Sequence, residues 1–197
     1  MTTYTFTENN TTHHSLIQAL IDEGWNGKWY INNNYISIDN TQGSLFSYLT
    51  KCKYLNYNDT LQLALDLGTQ IIALAKQGKG LVTIDPKNII VCQNQDSSHC
   101  NFIISDISQT FSLNINTDCL EIITTLPLSE YMAPEVHNID VLPKYIHISA
   151  IYYSIALLCL KCLGISKQMR EIYGSKLYFF LQRCLRTDPH TREFLYI

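Results

Sequence analysis

The chain has 197 residues, of which 46% are hydrophobic and 16% charged. That suffices for one well-cored domain, with less charge than the roughly 25% of an average soluble domain. A formal net charge of −3 excludes a general electrostatic attraction to nucleic acid or anionic lipid, so neither is an expected partner. Seven cysteines, an odd number without paired metal spacing, and a first segment without a secretory signal pattern point to reduced thiols and a cytoplasmic location.

Residues 1–12 are rich in Thr and Asn and are expected to form a disordered leader, with a single domain over 13–197. Over 13–23, Leu16, Ile17, Leu20 and Ile21 recur at helical spacing and Gly24 is a C-terminal cap, which makes His13 and His14 a solvated helix start. Trp29-Tyr30-Ile31 and Tyr35-Ile36-Ser37-Ile38 flank Asn32-Asn33-Asn34 as a β-hairpin. Ser44 caps a short helix over 45–49. Asn58 or Asp59 caps a long helix that reaches about Gln77, with Leu61, Leu65, Ile72 and Leu74 as its apolar face and Gly78 closing it.

Short strands follow at 89–92 and 102–105, joined by a polar turn at 94–98. A helix over 147–163 and a last one over 175–186 complete the chain. The stretch 148–160 carries no formal charge but is short of the about 20 residues of a membrane span, so it reads as a buried core helix. Cys159 and Cys162 lie within that apolar run and read as packing residues, not as a redox or zinc pair.

Four segments carry the functional signal. They are Asp85-Pro86-Lys87-Asn88, Ser105-Asp106-Ile107-Ser108, Tyr131-Met132-Ala133-Pro134-Glu135-Val136, and the stretch from Cys184 to Arg192. In that order, over residues 35–192, they resemble the C-terminal lobe of a protein kinase: the end of the catalytic loop, an altered D-F-G, the A-P-E, and the Arg that pairs with the A-P-E Glu. The resemblance implies a mainly α fold with small β-hairpins (α+β), a kinase C-lobe-like helical domain with a vestigial N-terminal portion. It also implies that Asn88 and Asp106 correspond to the two side chains that hold Mg²⁺ with ATP. Glu135 and Arg192 correspond to a buried structural ion pair.

The departures from the family fall on its chemistry. Aligning Asn88 with the loop Asn places Thr83 where the catalytic Asp stands, and a hydroxyl cannot accept the substrate proton at neutral pH. Asp85 takes the position of the loop Lys, at the wrong offset for the base. Ile151 occupies the position of the helix Asp that anchors the loop backbone. No Gly-rich loop occurs, Lys28 is the one Lys before the hinge-like Ile38-Asp39-Asn40, and too few residues precede that point for a full N-lobe.

A C-lobe without these parts resembles the KIND domain, the kinase non-catalytic C-lobe domain. That implies a non-catalytic pseudokinase scaffold or decoy for intracellular signalling, with no catalytic residue and no cofactor, that binds a protein partner, in that family a cytoskeletal regulator. The alternative is a divergent minimal kinase or Mg-ATP-binding pseudokinase that uses Asn88 and Asp106. Tyr30, Tyr35, Tyr48, Tyr54 and Tyr57 cluster on the N-terminal side and offer a partner surface.

Overall fold

A computed structural model describes residues 2–6, 11–32, 35–93 and 99–194. In chain order the elements are β1 (Thr2–Phe6), α1 (Thr11–Asp22), β2 (Trp29–Asn32), β3 (Tyr35–Ser44), α2 (Leu45–Cys52), α3 (Tyr57–Lys76), β4 (Lys79–Gly80), β5 (Ile89–Gln93), β6 (Cys100–Ile104), β7 (Phe111–Asn114), β8 (Cys119–Ile122), α4 (Pro134–His137), β9 (Lys144–His147), α5 (Ala150–Leu163) and α6 (Lys176–Cys184). Short 3-10 turns cover Pro86–Asn88, Arg170–Ile172 and Pro189–Thr191. The fold is mixed α and β with two antiparallel sheets, richer in strand than the small hairpins expected from the sequence. The chain divides into two compact units, Met1–Leu74 with Pro86–Ile107 and Ala75–Asp85 with Ser108–Ile197, where the sequence reading draws one domain.

The first unit is built on β3, which pairs antiparallel with β1, β2 and β5, and β5 in turn pairs with β6. Ile36 and Ile38 of β3 are fully buried and share a core with Ile17, Leu20, Trp25, Ile90 and Ile103. The expected leader is corrected in two places. Thr2–Phe6 is a strand because it lies along β3, and Thr11 and Thr12 open α1, with Thr12 buried. His13 is also buried, against the Phe6 ring at 4.4 Å, so the helix start is not solvated there. Part of the Asn turn and the whole of the expected turn at 94–98 lie outside the described residues.

Helix α3 meets this sheet with a partly polar face. Asn56 Oδ1 accepts from the Asp59 N–H at 2.8 Å and so caps the helix earlier than Asn58 or Asp59 would. Buried positions are Leu63, Ala64, Leu67, Ile71 and Leu74, together with Asp59, Asp66 and Gln70. Leu61, Leu65 and Ile72 are only partly buried. The polar three recur at i, i+7 and i+11 and therefore lie along one stripe.

Facing that stripe is β6, the last strand of the sheet order, whose alternate backbone N–H groups lack a strand partner. Asp59 Oδ1 accepts from Cys100 N (3.3 Å), Asp66 Oδ2 from Phe102 N (2.8 Å), and Gln70 Oε1 from Ile104 N (2.9 Å). Gln70 Nε2 donates to Phe102 O at 2.9 Å. The helix thus completes the strand edge in place of another strand, as buried backbone polar groups require.

Asp66 carries the highest cost in this arrangement. Burial pushes its carboxyl up to about 7, against hydrogen bonds from Gln62, Phe102 and Asn101 that favour the ion. A carboxyl raised in the folded state contributes stability that is full below its unfolded value and is lost as pH rises through about 7. Denaturant unfolding of wild type and Asp66→Asn, at several values between about pH 4 and 8, isolates this group. Wild type is expected to lose about 3 kcal/mol relative to the variant over that rise. A difference independent of pH contradicts it.

The second unit contains the sheet β4-β7-β8-β9, all antiparallel. Its core joins Leu120, Ile122 and Ile146 of the sheet to Met132, Ala133, Val136, Ala150 and Tyr153. Helix α5 begins at Ala150 instead of residue 147, because Lys144–His147 pairs with β8 as a strand. It ends at Gly164 in the left-handed region (φ +66), as a cap that glycine adopts without strain. Cys159 and Cys162 are fully buried, and all seven cysteines are free. No helix among the described residues is long and apolar enough to cross a membrane.

Candidate functional site

In the first unit, the β5–β6 hairpin brings Asn88 and Asp106 to one end. Ile89 pairs with Ile104, so Asn88 precedes β5 where Ser105 and Asp106 follow β6, and the Ser105 N–H donates to Asn88 O at 2.9 Å. Asn88 is half-buried at the end of the Pro86–Asn88 turn, and Asp106 is exposed. Lys87, on the same turn, stands over the Phe46 ring at 5.5 Å. His13 Nε2 lies 3.1 Å from the Ser105 carbonyl oxygen, and burial lowers the His13 pKa below its ordinary value, partly opposed by that bond and by Asp106.

Asn88 and Asp106 together offer one amide oxygen and one carboxylate, oxygen donors of the kind that hold Mg²⁺ alongside a nucleotide's phosphates. As donor types they would supply two ligands, with the remainder left to phosphate and water. No cluster of three or more His, Cys, Asp or Glu among the described residues could hold a metal ion without that help.

Thr83 and Asp85 belong to the second unit. There Thr83 Oγ1 lies 3.3 Å from Ser154 Oγ, and the Ile84 N–H donates to Ser154 Oγ at 3.0 Å. Ser154 sits on α5 one turn after Ile151, which is fully buried. The loop backbone is therefore tied to the helix by a neutral hydroxyl. The sequence reading did not single out Ser154, since a lone Ser in an apolar helix gives no signal of the loop it holds.

Glu135 and Arg192 come together in the same unit. Arg192 Nη1 and Nη2 each donate to one oxygen of Glu135, the second at 2.9 Å, as a bidentate pair. The Arg192 side chain has 0% exposure and that of Glu135 21%. Arg192 Nε donates to Arg186 O (2.7 Å), Nη2 also to Thr187 O (3.1 Å), and the guanidinium covers the Tyr153 ring at 4.9 Å. Four of its five N–H donors thus have acceptors, which favours holding a buried cation.

The chain leading into Arg192 is pinned as well. Ser149 Oγ donates to Pro189 O at 2.7 Å, and His147 Nδ1 lies 2.8 Å from the same Oγ. The His147 and His190 rings stand 4.9 Å apart. Burial, with His190 and Arg192 adding to it, lowers the His147 pKa, while Asp118 and Glu135 act the other way.

Of the five tyrosines on the N-terminal side, Tyr30, Tyr35 and Tyr54 are exposed, and Tyr48 and Tyr57 are partly buried. Cys100 Sγ stands 3.9 Å from the Tyr48 hydroxyl, and burial is the main cause that pushes Tyr48 up to about 12. The chain matches no protein-family model and no curated protein.

Removing either partner of the bidentate pair leaves the other charge, wholly or largely buried, without its counter-ion. Glu135→Ala and Arg192→Ala are each expected to cost about 3 kcal/mol, a melting drop on the order of 10 °C at this chain length. Differential scanning calorimetry reads this directly, and melting of both variants within about 2 °C of wild type contradicts it.

Proposed function

We propose that the chain is a non-catalytic protein-interaction module on a protein kinase C-lobe-like frame, similar in kind to the KIND domain and acting as a scaffold or decoy. The observation that carries the reading is at Thr83. Its hydroxyl faces Ser154, and the anchor position at Ile151 is buried hydrocarbon, so the loop has a neutral tether where catalysis needs a carboxylate base and a charged anchor. Phosphoryl transfer depends almost entirely on positioning and charge stabilisation, and Thr83 supplies neither a base nor a charge.

The Glu135–Arg192 pair supports the same reading from the other side, since it keeps the segment after the A-P-E position in one place without touching any reacting group. The partner is a protein and the setting is the cytoplasm; a cytoskeletal regulator is the partner class that the KIND likeness suggests.

The second reading is a pseudokinase that binds Mg-ATP without transferring phosphate. The position of Asn88 and Asp106 at one end of the β5–β6 hairpin favours it. A thermal-shift titration with ATP, with and without Mg²⁺, separates the two. The first reading expects melting to move by less than about 1 °C in either condition. A larger Mg²⁺-dependent rise that Asp106→Ala abolishes overturns it in favour of the second.

A further inference from the structure

The stretch between Lys161 and Arg186 has a charge balance opposite to that of the chain as a whole. Lys161, Lys167, Arg170, Lys176, Arg183 and Arg186 face Glu171 alone, in a protein of net charge −3. The rest of the sequence therefore carries a net negative charge, while this stretch, from the end of α5 through the turn to α6, is net positive.

Part of that charge is already used within the unit. Lys161 Nζ pairs with Glu130 at 2.5 Å, Lys167 lies over the Tyr153 ring at 6.0 Å, and Arg186 donates to Thr191 O at 2.6 Å. Arg170, Lys176 and Arg183 form no ion pair among the described residues. Arg183 is half-buried, and its Nε is shut off from solvent without an acceptor among the described residues. That nitrogen is closed to a ligand, so the charge open to an incoming carboxylate is on the exposed Arg170 and Lys176 and on the rest of the half-buried Arg183 guanidinium.

The same surface carries exposed aromatic area. Tyr173 is 78% and Phe179 47% exposed, with the Tyr178 ring between them at 5.0 and 5.2 Å. Gly174 at φ +76 turns the chain, and Ser175 Oγ accepts from Tyr178 N at 3.2 Å, which starts α6 directly after Tyr173. Along α6, Lys176, Phe179 and Arg183 recur at i, i+3 and i+7 and so share one face. An aromatic ring thus stands between two cations, with Arg170 and Tyr173 on the turn that precedes the helix.

We infer that this face, formed by Arg170, Tyr173, Lys176, Phe179 and Arg183, docks an acidic protein segment that carries an apolar anchor residue. Tyr and Arg are the side chains that dominate interface energetics, and cations flanking a ring suit carboxylates flanking an apolar side chain. A long polyanion fits less well. Nucleic acid binds through many phosphate contacts along a basic track, whereas this patch is one face of a short helix on an otherwise acidic molecule. The inference rests on the interaction-module reading and gives that module a surface and a partner chemistry.

Fluorescence anisotropy tests it with a labelled synthetic peptide of alternating Asp and Glu around one Leu and one Phe. The controls are the same peptide with Lys for every acid and an oligothymidylate of similar length. Saturable binding is expected for the acidic peptide alone, weakening as salt screens the charges. Arg170→Glu and Lys176→Glu should each weaken it at least about fivefold, and Phe179→Ser similarly, while Lys51→Glu on α2 leaves it unchanged. Arg170 and Lys176 are exposed, so these two reversals test the surface even where Phe179→Ser lowers the melting temperature.

No saturation up to about 1 mM, equal binding of the Lys peptide, tighter binding of the oligothymidylate, or indifference to both reversals overturns the inference. A failure of this kind is distinct from a failure of the non-catalytic reading, because the Mg-ATP titration probes Asn88 and Asp106 and none of these residues.

Discussion

A strand edge completed by a helix is the constraint on which the first unit depends. Strand β6 ends its sheet, and the N–H groups of Cys100, Phe102 and Ile104 would be left unpaired in a dry interior without Asp59, Asp66 and Gln70 of α3. An unmet backbone donor in such a place costs about 1–3 kcal/mol, so three together would exceed what a small unit can lose. The position of β6 fixes the turn at Asp106, and the pairing of β6 with β5 fixes Asn88 beside it. The candidate ligand pair is therefore a consequence of polar contacts on a helix, made at the expense of a buried carboxyl raised to about 7.

The second unit rests on the same physics with the signs reversed. There the buried charge is the Arg192 guanidinium, and the chain surrounds it with the Glu135 carboxylate, the carbonyls of Arg186 and Thr187, and the Tyr153 ring. Such a pair contributes little net stability against a hydrophobic replacement, but it admits one geometry and penalises every other. At Thr83 a hydroxyl contact with Ser154 secures the loop without offering a base.

The parts of this structure that the sequence made legible are those with a local signature. Ser44 and Ser175 cap their helices with hydroxyls that accept from Ser47 N and Tyr178 N, the pattern expected of those residues before an apolar run. The pairing of Glu135 with Arg192 was implied by the resemblance to a kinase C-lobe, and the two side chains do meet. The face of α3 could not be read. Asp59, Asp66 and Gln70 look like solvent-facing polar residues until the strand edge they complete is known, so Leu61, Leu65 and Ile72 were assigned inward in their place. The strands β7, β8 and β9 were missed because each is only four residues long, with exposed or half-buried positions among the buried ones, and pairing rather than propensity makes them strands.

The central claim is a retained frame that performs no phosphoryl transfer, and it is tested most directly by single-turnover release of labelled γ-phosphate from ATP by the purified chain with Mg²⁺. The predicted rate equals that of buffer alone, for wild type and for Asp85→Ala and Thr83→Ala alike. A wild-type rate above buffer that falls in Asp85→Ala or Thr83→Ala would contradict the claim, because it would place a working base in the loop that Ser154 tethers.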